Sequence, residues 1–138
     1  MAMTITFPGG KRVDAELDGF TVRTDQKVAN GGDGSAPEPF SIFLASIGTC
    51  AGIYVLGFCQ ARRIPTEGIR LIESAEFDPE THRLKQVRID IQVTPEFPAK
   101  YLTAVTHLAN NCAVKRAIFD PPEFVIEAKP AAVPAIAS

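Results

Sequence analysis

Three cysteines carry the most reactive chemistry this chain could do: Cys50, Cys59 and Cys112. A thiol works as its thiolate, the form that a helix N-terminus or a nearby cation favours. Cys112 follows Asn110-Asn111 at the start of a predicted helix, with Lys115 and Arg116 close behind it. Cys50 lies inside a predicted helix with no local charge, so a group from elsewhere in the fold must activate it. Cys59 stands nine residues after Cys50. On one helix that is roughly the opposite face and ~13 Å along the axis. A disulfide needs Cα atoms within ~7 Å, so these two cannot pair there. Cys50 with Cys112 is free of that objection. Spacing alone leaves a plainer reading open, in which all three are small buried hydrophobes, and Cys59 stays in it. A metal site has less support, because there is no Cys-x-x-Cys and His82 and His107 stand isolated. His82 sits beside a turn and His107 shares a polar helical face with Lys100 and Thr103, so both are expected at the surface.

The element that must position Cys50 is the stretch from Pro39 to Arg62, PFSIFLASIGTCAGIYVLGFCQAR. From Phe40 to Ala61 it has no charged side chain, and no proline falls between Pro39 and Pro65, so one long helix can run through it. A run of ~20 apolar residues can span a bilayer. Arg62 and Arg63 could then serve as anchors, and Gly48-x-x-x-Gly52 as a packing motif between membrane helices. Against this stand the interruptions at Ser41, Ser46, Thr49 and Gln60, and flanks that read as half-buried soluble structure. The stretch is expected to be a buried central helix. Small residues at Ala45, Gly48, Ala51 and Gly52 let another element approach it closely.

Upstream, Met3–Phe7 and Arg12–Leu17 read as strands, the second by its alternation of Val13, Ala15 and Leu17 with Arg12, Asp14 and Glu16. Pro8-Gly9-Gly10 is a turn signal and Asp18-Gly19 a type I′ hairpin signal, after which Phe20–Thr24 returns as a third strand. The loop Ala29–Pro39 is too rich in Gly, Asn, Asp and Pro for regular structure. It is either plain connection or the rim of a site. Downstream, Ile69–Phe77 and Leu84–Thr94 form a second hairpin, with Val87, Ile89, Ile91 and Val93 on one face. A helix opens at Pro98 and breaks at Asn110-Asn111. A second one covers Cys112–Ile118, with Asn110 or Asn111 as its N-cap. Asp120-Pro121-Pro122 stops it, Glu123–Ala128 is a final strand, and the tail 129–138 is expected to fray.

Segregated strands and helices argue for an α+β fold: antiparallel sheet packed on a long central cysteine-bearing helix. With 138 residues and no internal repeat, one domain over 1–138 is expected. That helix is apolar nearly all round, so a face is left over once the sheet is covered. A homodimer is the natural cover. The near-balanced charge, formally −2, gives no reason to expect nucleic acid or anionic lipid. The odd cysteine number and the lack of a signal-peptide pattern at MAMTITFPGGKR point to the cytoplasm.

The two cysteine segments together carry a resemblance. PFSIFLASIGTCAGIYVLGFCQARRI resembles the cysteine-bearing central helix of the OsmC/Ohr family, and NNCAVKRAI its second-cysteine segment. The order of elements is similar over residues 3 to 128. The resemblance implies an intertwined dimer acting as a thiol peroxidase on organic hydroperoxides or peroxide, without a cofactor. Cys50 would attack the peroxide and become a sulfenic acid. Cys112 would resolve it as a disulfide, and a lipoyl-like dithiol would restore the pair. In Ohr members an Arg near the first hairpin and a Glu ten residues before the first cysteine assist the thiolate. Here that tenth position is Phe40, and the nearest acid is Glu38. Arg12 is the candidate arginine, with Arg23 the alternative. The absent Glu leaves a second expectation: a non-enzymatic dimer that binds a small hydrophobic ligand in its interface cleft.

Overall fold

The longest element is one unbroken helix, α1, over Pro39–Ala61. Pro39 occupies its first turn, where a missing N–H costs nothing. It stops where Arg63 turns to φ +55°, with the Ile64 amide donating back to the Cys59 carbonyl at 2.9 Å. Its buried residues are Ile47, Ala51, Val55, Phe58 and Cys59, the i, i+4 spacing of a core-facing stripe. The computed structural model describes residues 1–131; most of the tail expected to fray, 132–138, lies outside them.

Two antiparallel sheets accompany this helix. The first joins β1 (Thr4–Gly9), β2 (Arg12–Leu17) and β3 (Phe20–Val22). β1 runs through the expected Pro8-Gly9 turn, at the expense of an irregular register between Thr6 and Gly9. Asp18 and Gly19 both take positive φ, +47° and +82°, as a type I′ turn requires. β3 is shorter than its sequence pattern, but Thr24 still meets the Val13 backbone. β2 departs from its alternation in one respect. Its buried residue is polar: Asp14, only 5% exposed.

The second sheet pairs β4 (Arg70–Phe77) with β5 (Leu84–Gln92). Leu71, Glu73 and Ala75 face inward, opposite Ile91, Ile89 and Val87. One turn of 3-10 helix at Ala99–Tyr101 leads into α2 (Leu102–Asn110), and α3 (Ala113–Phe119) follows. The core forms where α1 meets α2 and this sheet. Ala51, Val55, Phe58 and Cys59 pack with Phe97, Val105 and Ala109, flanked by Ile69, Leu71, Ile89 and Ile91. α1 is long and apolar enough to cross a membrane by length and composition. Its expected burial is not complete: only the stripe facing the core is buried, 28% of its apolar stretch, and Arg62 at its end stacks on the Phe58 ring, 3.6 Å from the centroid.

Three expectations are corrected. The loop before α1 holds a 3-10 turn at Val28–Asn30. It is organised by Asp25, which is 1% exposed and accepts from the Gln26 and Ser35 amides and the Ser35 hydroxyl. Those bonds hold its carboxyl down at about 2. The cap of α3 is Cys112 itself, neither Asn110 nor Asn111. No strand forms over Glu123–Ala128, which pairs with neither sheet. Phe124, Val125 and Ile126 are left in solvent, Ile126 at 93% exposure.

Candidate active site

Cys50 sits at the middle of α1 and is only partly buried. It lies one residue before Ala51, whose side chain lines an apolar cleft of about 950 Å³. The cleft opens between α1, β5, α2 and α3. Its walls include Phe43 and Ile47 from α1, Ile89 and Ile91 from β5, and Ile118 and Phe119 from α3. Lys115 and His107 add polar groups, and His107 is exposed, as is His82. No metal-holding cluster of His, Cys, Asp or Glu exists among the described residues.

The remaining thiols differ from Cys50 in access. Cys59 is 0% exposed in the core. Burial pushes its thiol up, against a smaller lowering by Arg62, which suits an inert packing residue. Cys112 is also 0% exposed. It caps α3 through extended backbone, φ −66° and ψ 157°, and α3 packs against α1. The cation that follows it is engaged elsewhere: Lys115 Nζ donates to the Ala109 carbonyl at 3.2 Å. All three cysteines are free thiols.

Arg12 is on β2, in the first sheet. Its Nη2 donates to Asp14 Oδ2 at 3.3 Å. Arg23, the alternative, is exposed. Glu38 is not aimed at Cys50; it receives Lys27 at 3.2 Å and the Asn30 amide at 3.3 Å. Phe40 stacks between Phe43 and Phe77, with centroids 5.3 and 6.0 Å away. The start of α1 is thus an aromatic cluster where the resemblance would place an acid.

One feature escaped the sequence reading. Glu73 points inward from β4 onto α1, and a Cβ at Gly48 would overlap its Oε2. Oε1 is buried without a hydrogen-bond partner. Burial raises this carboxyl, against smaller lowering from the Gly48 amide and Lys115. Only the mismatch of a glutamate at an inward position of an alternating strand could have flagged it.

The sequence pattern of the family described as OsmC-like protein matches residues 32–127. The chain belongs to the OsmC-like family. That span covers α1, the β4–β5 hairpin and the Cys112 segment. No curated protein matches the chain in sequence. Among solved structures, the OsmC-like chain is similar to a proposed osmotic stress induced and detoxification response protein from Psychrobacter arcticus. The TM-score is 0.73 at 22% identity, over 85% of this chain and 87% of that one. It is also similar to a Legionella pneumophila protein described as the organic hydroperoxide resistance protein OsmC, a predicted redox protein. There the TM-score is 0.54 at 20% identity, over 86% and 89% of the two chains. An OsmC-like protein of unknown function from Vibrio cholerae gives 0.57 at 12% identity, over 84% and 91%. These likenesses establish the fold.

Proposed function

We propose that this protein is a cysteine-based hydroperoxide reductase working as a cytoplasmic homodimer in protection against oxidative stress. The observation that carries the reading is the difference in access among the thiols. Cys50 is partly exposed, next along α1 to the Ala51 that lines the apolar cleft though not itself in the lining, whereas Cys59 and Cys112 are sealed. The Cys50 thiolate attacks the terminal oxygen of a hydroperoxide. The O–O bond breaks, the alkoxide takes a proton and leaves as an alcohol, and sulfur is oxidised to the sulfenic acid. The Cys112 thiol then displaces water to give a Cys50–Cys112 disulfide. A lipoyl-like dithiol reduces that bond and becomes a cyclic disulfide. An apolar cleft favours organic hydroperoxides as substrates.

The homodimer follows from surfaces that one chain leaves bare. Ile5, Phe7 and Phe20 of the first sheet are exposed, as are Ile53 of α1 and the apolar residues after α3. Large apolar side chains left in solvent are a mark of an interface. A second copy would cover it and bring Arg12 to Cys50, where a guanidinium favours the thiolate.

A stopped-flow assay with cumene hydroperoxide and a lipoyl-type dithiol tests the reading. Turnover that vanishes in Cys50→Ser is expected. No turnover with organic or inorganic peroxide under any dithiol would end it. The size of the cleft also favours a second reading, a non-enzymatic dimer holding a small hydrophobic ligand. That reading fails if native mass spectrometry finds the purified dimer empty and Cys50 alkylates fast at pH 7.

A further inference from the structure

Asp14 and Asp25 are the two buried carboxylates among the described residues. Asp25 is accounted for by the loop it organises. Asp14 is not accounted for by a core, since it lies in a sheet whose other residues are exposed or half-exposed. A carboxylate taken out of water must be matched by donors. Asp14 has two: the Thr24 amide to Oδ1 and Arg12 Nη2 to Oδ2, both at 3.3 Å.

Arg12 and Asp14 are two residues apart on β2, so both side chains project from one face of the strand. The side chain of Asp14 is 7% exposed and that of Arg12 37%. The acid is therefore fixed and the guanidinium lies across it, tethered by one nitrogen, with further N–H donors left for another group. A free surface arginine samples many rotamers, whereas this one has its charge held in place. The loop that feeds α1 lies against the same hairpin, with Lys11 Cε beside Gly31 and the Asp33 carboxylate beside Gly10. At Phe40, α1 offers an aromatic ring instead of an acid.

We propose that Asp14 is a positioning residue, which orients Arg12 for the Cys50 thiolate from within its own strand. The inference rests on the reading of Arg12 and Cys50 above. Its test follows the pH dependence of Cys50 alkylation by iodoacetamide in the reduced full-length protein, with the modified peptide identified by mass spectrometry. Arg12→Met should slow the reaction at pH 7 by roughly fivefold to tenfold and move its midpoint up. Asp14→Asn keeps an acceptor for the Thr24 amide, yet should shift the profile in the same direction. In the double variant the Asn should add nothing to the Met, because Asp14 acts through Arg12.

A wild-type profile in Asp14→Asn, or effects that multiply in the double variant, overturns the proposal while leaving Arg12 in place. If Arg12→Met itself keeps the wild-type profile, the assignment of Arg12 falls and that of Asp14 with it. Asp14→Ser serves as a second uncharged variant. Should neither it nor Asp14→Asn fold by circular dichroism, Asp14 is a clamp on the strand end and the proposal is overturned.

Discussion

Single residues set the tolerances of this protein, and three of them are testable through stability alone. At Gly48 the Glu73 carboxylate occupies the place of a side chain. Gly48→Ala must push that carboxylate aside, which offsets the roughly 1 kcal/mol Ala gains over Gly in a helix, so it should stabilise less than Gly52→Ala, with open space at its Cβ. Chemical denaturation of both variants checks this. Glu73 is half-buried and desolvation raises its carboxyl, so the folded state holds a proton the unfolded chain has released. Its contribution to stability is present below the unfolded value of 4.5 and falls as pH rises through the higher folded value. Glu73→Gln should therefore raise Tm at pH 7 and leave it unchanged near pH 4. Asp25 works in the opposite sense. Its carboxyl is lowered from 3.8 to about 2, so its contribution is present above 3.8 and is lost as pH falls toward 2. Scanning calorimetry from pH 5 to 2 should show a Tm drop in the wild type that Asp25→Asn largely lacks. The sequence made Cys50 and Cys59 easy to separate, because helical spacing alone puts them on opposite faces. Asp14 and Glu73 were hidden, since alternation reports which side of a strand a residue takes and not whether that side is apolar.

At the scale of elements, α1 was legible almost to the residue. An uncharged run bracketed by Pro39 and Pro65 has few other ways to fold. The hairpins were legible from their turn residues. The strand expected over Glu123–Ala128 was not, because a strand exists only with a neighbour to bond to, and pattern records the apolar residues but not the neighbour. α3 bears the most mechanistic demand. Its cap, Cys112, is buried and is the thiol proposed to resolve the Cys50 sulfenic acid. Cys112→Ser should leave the first oxidation of Cys50 intact and stall the cycle. Dimedone should then label Cys50 in that variant after one equivalent of hydroperoxide, and label the wild type far less. Equal labelling of both would place resolution elsewhere.

For the whole molecule, the described residues form a three-stranded and a two-stranded sheet, and residues 121–131 pair with neither. Apolar groups such as Phe7, 82% exposed, and Ile126 argue that a second copy completes them. Sedimentation equilibrium should return a dimer, and truncation after Asp120 should weaken or abolish it. A wild-type monomer at micromolar concentration would remove the interface through which the proposed dimer brings Arg12 to Cys50. The catalytic claim itself has a more direct test. Reduced protein is treated with one equivalent of cumene hydroperoxide, quenched with acid, and its disulfides are mapped by mass spectrometry. The account predicts a single new cross-link, Cys50 to Cys112, with Cys59 still a thiol. Recovery of Cys50 as an unmodified thiol, with the peroxide intact, would contradict it.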